Sequence, residues 1–220
     1  MKKIGYAQYI MDNILNVPFS VPIYTKDIAL GLAKQFDIEL DKAKTLVNAN
    51  LKRLADNNVL EHYQKGIYYK AQETPFGKTK LNPAYITRDM YLIKNGDIIG
   101  YETGPSLYNK MGLTTQLPKY RTYATNVFKH NGSRVDEKLG VILRRPPTEV
   151  TDINYRYLQL LDAIENKEKL PADALDPDQL ILEYIHRYEL DFLKLAGYAS
   201  RYYRREVLLR LGELAAGVLQ

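Results

Sequence analysis

Apolar residues in the first third of the chain recur at helical spacing. Tyr6, Ile10 and Ile14 stand four apart, which puts them on one face and predicts a short helix from Tyr6 to Leu15. Pro18 and Pro22 bracket a linker and forbid that helix from continuing. Thr25 reads as the N-cap of a second helix, with Asp27 in the first turn, where the helix dipole favours negative charge. This helix runs to about Phe36, with Ile28, Leu32 and Phe36 as its buried stripe and Ala29 and Ala33 beside them. Asp37 to Glu39 make a short connection to a third helix, from about Leu40 to Ala55. Its apolar positions are Leu40, Ala43, Val47, Leu51 and Leu54. Asp56-Asn57-Asn58 stops it. Val59 to Tyr63 and Ile67 to Ala71 then read as strands around a Gln64-Lys65-Gly66 hairpin turn.

Helix, helix, helix, hairpin is the plan of a winged helix-turn-helix, a fold that lays one helix in the major groove of DNA. The outward face of the third helix carries the candidate DNA contacts. Lys42, Lys44 and Lys52, with Arg53 counted among them, would meet phosphates, and Thr45 and Asn48 would reach base edges. Lys65, at the hairpin tip, is placed for a neighbouring phosphate or the minor groove. Lysines opposite an apolar stripe are also the ordinary solvated face of an amphipathic helix, and winged helices serve as protein-binding modules too. The order of elements therefore carries more weight than the lysines.

Beyond the hairpin the chain loosens. Thr74-Pro75, Phe76-Gly77 and Asn82-Pro83 mark a linker at 75–83, between a DNA-binding domain at 1–74 and a second domain at 84–220. The second domain opens with a helix at about Tyr85 to Lys94, a turn at Asn95-Gly96-Asp97 and a strand from Ile98 to Glu102. Gly104-Pro105-Ser106 opens another helix, closed by Gly112. Arg121 to Thr125 and Leu139 to Leu143 read as further strands. From Thr151 the pattern is helical, ending in a helix from about Ser200 to Val218. The fold class expected is α+β: an N-terminal winged helix-turn-helix, then a mixed α/β domain with a helical C-terminal part.

Composition removes several chemistries. The 220 residues include no cysteine, so disulfides, thiolate metal sites and a cysteine nucleophile are excluded. His62, His130 and His186 lie far apart and share no ligand spacing. No apolar run is long enough to span a bilayer, and Gln8, Asp12 and Asn13 interrupt any signal-peptide core, so a cytoplasmic location is expected. Gly104-Pro105-Ser106 lacks the full Gly-x-Ser-x-Gly pattern of a nucleophile elbow, and Asn131-Gly132-Ser133 with Asp136 lacks the paired carboxylates of a nucleotidyltransferase. Both read as turns or helix starts; no enzyme and no cofactor is expected. The net charge of +5 favours a polyanionic partner weakly. Arg201, Arg204 and Arg205, on nearly one side of the last helix, form a possible second basic surface, although a solvated helix face is the more common explanation for each.

The most distinctive stretch is Gly100-Tyr101-Glu102-Thr103-Gly104-Pro105-Ser106-Leu107-Tyr108-Asn109-Lys110-Met111-Gly112-Leu113-Thr114-Thr115-Gln116-Leu117-Pro118. With Tyr123-Ala124-Thr125-Asn126 after it, and Gly66-Ile67-Tyr68-Tyr69-Lys70 and Phe76-Gly77 before it, it resembles the AbiEi-like antitoxins of type IV toxin–antitoxin systems. Tyr108 departs from the family pattern, which often has a small or asparagine-like residue there. The resemblance implies a repressor that binds inverted repeats upstream of its own operon. It also implies a second domain that counteracts a nucleotidyltransferase-like toxin, with no stable complex required. Two alternatives remain open: an orphan winged-helix regulator sensing a small ligand, and a nucleic-acid-modifying enzyme.

Overall fold

The computed structural model describes residues 5–166 and 176–218, an α+β chain in which short strands alternate with helices. It divides into two units, Met1–Ile86 and Thr87–Gln220. The first begins with α1 (Tyr6–Leu15), whose Ile10 and Ile14 are fully buried. Tyr6 and Tyr9 on the same helix meet Phe36 edge-to-face, with ring centroids 4.8 and 5.7 Å apart. β1 (Pro22–Tyr24) leads into α2 (Thr25–Phe36), and α3 (Leu40–Asp56) follows after three residues. Asp37 makes that tight connection in the left-handed region, at φ +49°, a conformation asparagine and aspartate adopt more readily than most residues. Ala29, Leu32, Ala43, Val47 and Leu51 close the core between α2 and α3.

The hairpin is β2 (Glu61–Gln64) and β3 (Ile67–Tyr69), turning through Gly66 at φ +78°. Two expectations change here. The linker bracketed by Pro18 and Pro22 is present, but Pro22 itself begins a strand that was not expected: β1 pairs antiparallel with β3 and makes a sheet of order β1-β3-β2. Proline is tolerated there because it starts an edge strand. Thr25 is not an N-cap: its N–H and Oγ both donate to the Gly66 carbonyl, at 3.0 and 3.2 Å, so it pins the hairpin turn to the start of α2.

The stretch 75–83 is folded rather than free. A small hairpin of β4 (Glu73–Thr74) and β5 (Gly77–Lys78) occupies its start. Lys78 Nζ pairs with Glu61 at 2.8 Å, Ser20 Oγ donates to Thr79 Oγ1 at 3.0 Å, and Asn82 N–H donates to the Ser20 carbonyl at 3.2 Å. Leu81 is buried. These contacts assign the segment to the first unit.

The chain crosses into the second unit within α4 (Pro83–Thr87), continued by a π-helical turn at Arg88–Leu92, where one longer helix was expected. β6 (Ile93–Lys94) and β7 (Asp97–Ile98) form a hairpin through Asn95 and Gly96, both at positive φ. A four-stranded sheet of order β10-β11-β9-β8 follows, built from β8 (Gly100–Thr103), β9 (Arg121–Thr125), β10 (Ser133–Asp136) and β11 (Val141–Arg144). β9 and β11 are parallel and the other pairs antiparallel. The strand β10 begins where only a turn was expected, at Ser133. Gly100 sits where no side chain fits: a Cβ there would lie 2.2 Å from the Tyr91 carbonyl oxygen and 2.8 Å from that of Ala124.

α5 (Pro105–Lys110) connects β8 to a loop ending at β9. α6 (Tyr155–Asn166) packs against β8, and α7 (Pro177–Arg187), α8 (Phe192–Tyr202) and α9 (Arg205–Val218) complete the helical part. Every residue of α6 from Tyr157 to Ile164 is buried, including Gln159 and Asp162. The expected single last helix is two, because Tyr203 adopts an extended conformation between α8 and α9. No helix among the described residues is long and apolar enough to cross a membrane.

Candidate functional site

Successive residues on a helix turn by 100°, and this arranges the outward face of α3. Lys52, Thr45 and Asn48 lie near its centre with Asp41. Lys42 and Arg53 flank one side and Lys44 the other. All are exposed. Across its 17 residues α3 is about 25 Å long. Lys42, Lys52 and the Asn48 amide make no hydrogen bond or ion pair to any described residue, so their donors are open to solvent. Lys44 is engaged, its Nζ lying 2.9 Å from Asp41. Such an exposed pair is worth less than about 1 kcal/mol and yields readily to a stronger anion. Thr45 Oγ1 donates to the Asp41 carbonyl at 2.9 Å, which leaves the hydroxyl acting as an acceptor. Arg53 donates to Asn50 Oδ1 at 3.1 Å. Lys65 is exposed at the β2–β3 turn, beside the start of α2.

Charge follows the same division. Residues 1–86 hold 12 Lys and Arg against 8 Asp and Glu, and residues 87–220 hold 19 against 18. The first unit thus carries +4 of the net +5.

The second set of arginines does not share one helix. Arg201 ends α8, Arg204 lies in the connection and Arg205 begins α9, so the expected shared side of a single helix does not exist. The cause is Tyr203, whose side chain turns inward. Its hydroxyl lies 3.0 Å from Asp162 Oδ1 and 3.1 Å from the Leu158 carbonyl. Arg201, Arg204 and Arg205 are all exposed, and Arg204 reaches Glu165 only at 3.9 Å.

Asp162 is the centre of a buried polar hub that the apolar pattern did not announce. It is 1% exposed. Its carboxylate accepts from Thr103 Oγ1 at 2.9 Å, from Tyr203 and, in an ion pair, from Arg144. Its carbonyl accepts from Tyr108 at 3.2 Å and from Asn166 at 2.8 Å. Burial, then the charge of Asp162, pushes the Tyr108 phenol up to about 12 and raises those of Tyr101 and Tyr203 as well. Burial works against the Arg144 charge, but Asp162 together with Tyr101 and Tyr108 outweighs it and holds the guanidinium above its ordinary range. The hydroxyls of Tyr101 and Ser106 and the Nε of Arg144 are buried without a hydrogen-bond partner among the described residues.

Much of the Gly100–Pro118 stretch therefore serves this hub or the turn beside it. Thr103 and Tyr108 bind Asp162, and Gly104 takes φ +71° against the Thr122 side chain, where a Cβ would stand 3.2 Å away. Asn109 donates to the Thr114 carbonyl at 3.1 Å, and buried Thr114 accepts the Gln116 N–H at 3.2 Å. Asn126 binds the Val150 N–H and carbonyl, each at 2.8 Å. A sequence signal for the hub does exist: Gln159 and Asp162 interrupt an otherwise apolar run, and polar residues in a helix buried all round must find partners.

No group of three His, Asp or Glu that could hold a metal ion occurs among the described residues. No protein-family model matches the chain, and no curated protein matches its sequence.

Proposed function

We propose that the first unit is a winged helix-turn-helix that binds double-stranded DNA. In this reading α2 and α3 are the helix-turn-helix, α3 enters the major groove and the β2–β3 hairpin is the wing. The observation that carries it is the α3 face, where Lys42, Lys52 and Asn48 stand exposed and unpartnered on one side of a helix fixed by an aliphatic core. Lys42 and Lys44 at the flanks suit phosphates, and the short polar groups Thr45 and Asn48 at the centre suit base edges, with Lys52 beside them. The positive charge concentrated in residues 1–86 supports the same partner.

The chain as a whole is proposed to be a cytoplasmic repressor and antitoxin of a type IV toxin–antitoxin operon, acting without catalysis of its own. This part rests on the resemblance carried by Gly100–Pro118. The protein is expected to retard the DNA upstream of its own gene in a gel, with affinity falling steeply as salt rises. Lys44→Glu with Lys52→Glu is expected to abolish the shift while the chain still unfolds cooperatively; an unchanged shift removes α3 from the interface. Co-expression with the neighbouring gene tests the antitoxin role. Rescue of growth supports it, and a toxic neighbour left unchecked ends it.

A further inference from the structure

The second unit contains a cleft of about 420 Å³ between β8, α5, α6 and α7, a volume within the range of small-ligand sites. Its lining includes the apolar side chains Leu107, Met111 and Leu180. The same lining includes Lys110, Arg156 and Arg187, with Glu102 and Glu183. Lys110 is ion-paired with Glu102, and Glu183 accepts a hydrogen bond from Gln179 at 3.2 Å. Arg187 is exposed and makes no ion pair among the described residues. Three cations against two carboxylates leave one positive charge uncompensated.

Arg156 is held in place before any ligand arrives. Its guanidinium lies 3.9 Å from the ring centroid of Tyr188 and 4.8 Å from that of Tyr155, a stacking that fixes its plane. Nη1 donates to Gln159 Oε1 at 3.0 Å, and Gln159 is itself bound by Tyr184 at 2.6 Å and to the Glu102 carbonyl at 2.7 Å. Its Nε and, in the same cleft, Glu102 Oε1 are buried without a hydrogen-bond partner among the described residues. Two other cavities among the described residues lack this combination. One, of about 500 Å³, contains Arg204 and Arg210, already matched by Glu165, Asp178 and Glu213. The other, of about 340 Å³, is formed by Asn126 and residues of the segments 128–129 and 145–149, outside the regular elements.

We propose that this cleft binds a small carboxylate with a compact apolar body. The carboxylate lies between Arg156 and Arg187, and the body rests on Leu107, Met111 and Leu180. A monoanion matches the single uncompensated charge, and the apolar side chains in the same cleft suit a compact apolar body. The proposal does not depend on DNA binding.

Phenylacetate is a suitable probe, titrated into the full chain by calorimetry at constant ionic strength. Acetate supplies the head group alone and 2-phenylethanol the body alone. Saturable binding of phenylacetate with Kd below about 1 mM is expected, with both fragments at least about tenfold weaker. Arg187→Ala is expected to weaken phenylacetate about tenfold while leaving the unfolding midpoint of the free protein unchanged. Absence of saturable phenylacetate binding overturns the proposal. So does binding equal in the Arg187→Ala protein, or acetate binding as tightly as phenylacetate. Charge reversal on α3 leaves these results unaltered, which keeps this test separate from the DNA test.

Discussion

The two units bury different things. The core of the first is aliphatic: Ile10, Ile14, Leu32, Val47 and Leu51 are all at most 1% exposed. Among the described residues, the buried polar side chains are Thr87, Thr103, Ser106, Thr114, Thr125, Asn154, Gln159 and Asp162, and every one lies in the second unit. The first unit therefore keeps its polar chemistry outside, on a face free to meet a partner. The second turns much of its polar chemistry inward and uses it to join elements distant in sequence, as Asp162 joins β8, β11 and the α8–α9 connection. An aliphatic core loses stability in proportion to the volume removed. A buried network loses it in steps, because each missing partner leaves another group unpaired.

The strongest test of this difference is Asp162→Ala. It removes the acceptor for Arg144, Thr103 and Tyr203 together and strands a guanidinium that the fold keeps charged. The second unit is expected to lose about 3–5 kcal/mol, read by denaturant unfolding and by hydrogen exchange resolved along the chain. Exchange in the first unit should not change. A loss below about 1 kcal/mol would mean that the hub does not order this unit. Replacing both partners, Asp162→Leu with Arg144→Met, is expected to recover much of the loss, since the desolvated charges disappear together.

Leu32→Ala makes the matched change in the first unit. Leu32 is fully buried between α2 and α3, so about 2–5 kcal/mol is expected, according to how far the cavity relaxes. Increased exchange should be confined to residues before Ile86. Spread into the second unit would show that the two cores are energetically coupled.

This contrast also explains what the sequence disclosed. The helices of the first unit were legible almost to the residue, because Ile10, Ile14, Leu32, Val47 and Leu51 record burial directly in their spacing. Its strand β1 was hidden, since Pro22 argues against a strand and the pairing with Tyr69 is long-range. In the second unit, spacing marked Arg121–Thr125 but not Ser133–Asp136, whose four residues include three exposed ones at its start and take their register only from β11. The break at Tyr203 was invisible for a similar reason. Local preference favours one continuous helix there, and the pull toward Asp162 comes from a residue 41 positions away. The outward side chains of α3 could be assigned from sequence because they depend only on helix phase. The hub and the cleft depend on tertiary pairing.

A smaller, graded difference is expected in alkali. An unfolded tyrosine loses its proton near 10.0, whereas the folded Tyr108 and Tyr184, raised chiefly by burial, hold theirs to about 12. Their contribution is complete below pH 10 and is lost as pH rises toward 12, because the unfolded state is then the one that releases protons. Two pH units correspond to about 2–3 kcal/mol for each residue. Thermal unfolding followed from pH 8 to 11 should therefore show the second unit weakening progressively above pH 10. Tyrosinate absorbance should show a fraction of the 19 tyrosines titrating only with unfolding. Complete titration of all tyrosines near pH 10 with the fold intact would contradict the burial of this group.

The least effect on stability belongs to the α3 face, and there the comparison turns from folding to function. Asn48→Ala and Lys42→Ala remove exposed side chains without partners, so each should change stability by no more than about 0.5 kcal/mol. Their effects on DNA should differ in kind. Lys42 lies at the flank of the face, where a phosphate contact weakens all sequences alike when lost and lowers the salt slope by about 1. Asn48 lies near the centre, where a base contact is worth about 1–3 kcal/mol of discrimination, so its loss should narrow the gap between operator and unrelated DNA. Competition binding at two salt concentrations separates the two outcomes. If both substitutions weaken operator and unrelated DNA equally, α3 lies along the backbone and base readout falls to another element. If neither alters binding, the polar face of α3 is a solvated surface, and the first unit has kept its polar groups outside for solubility alone.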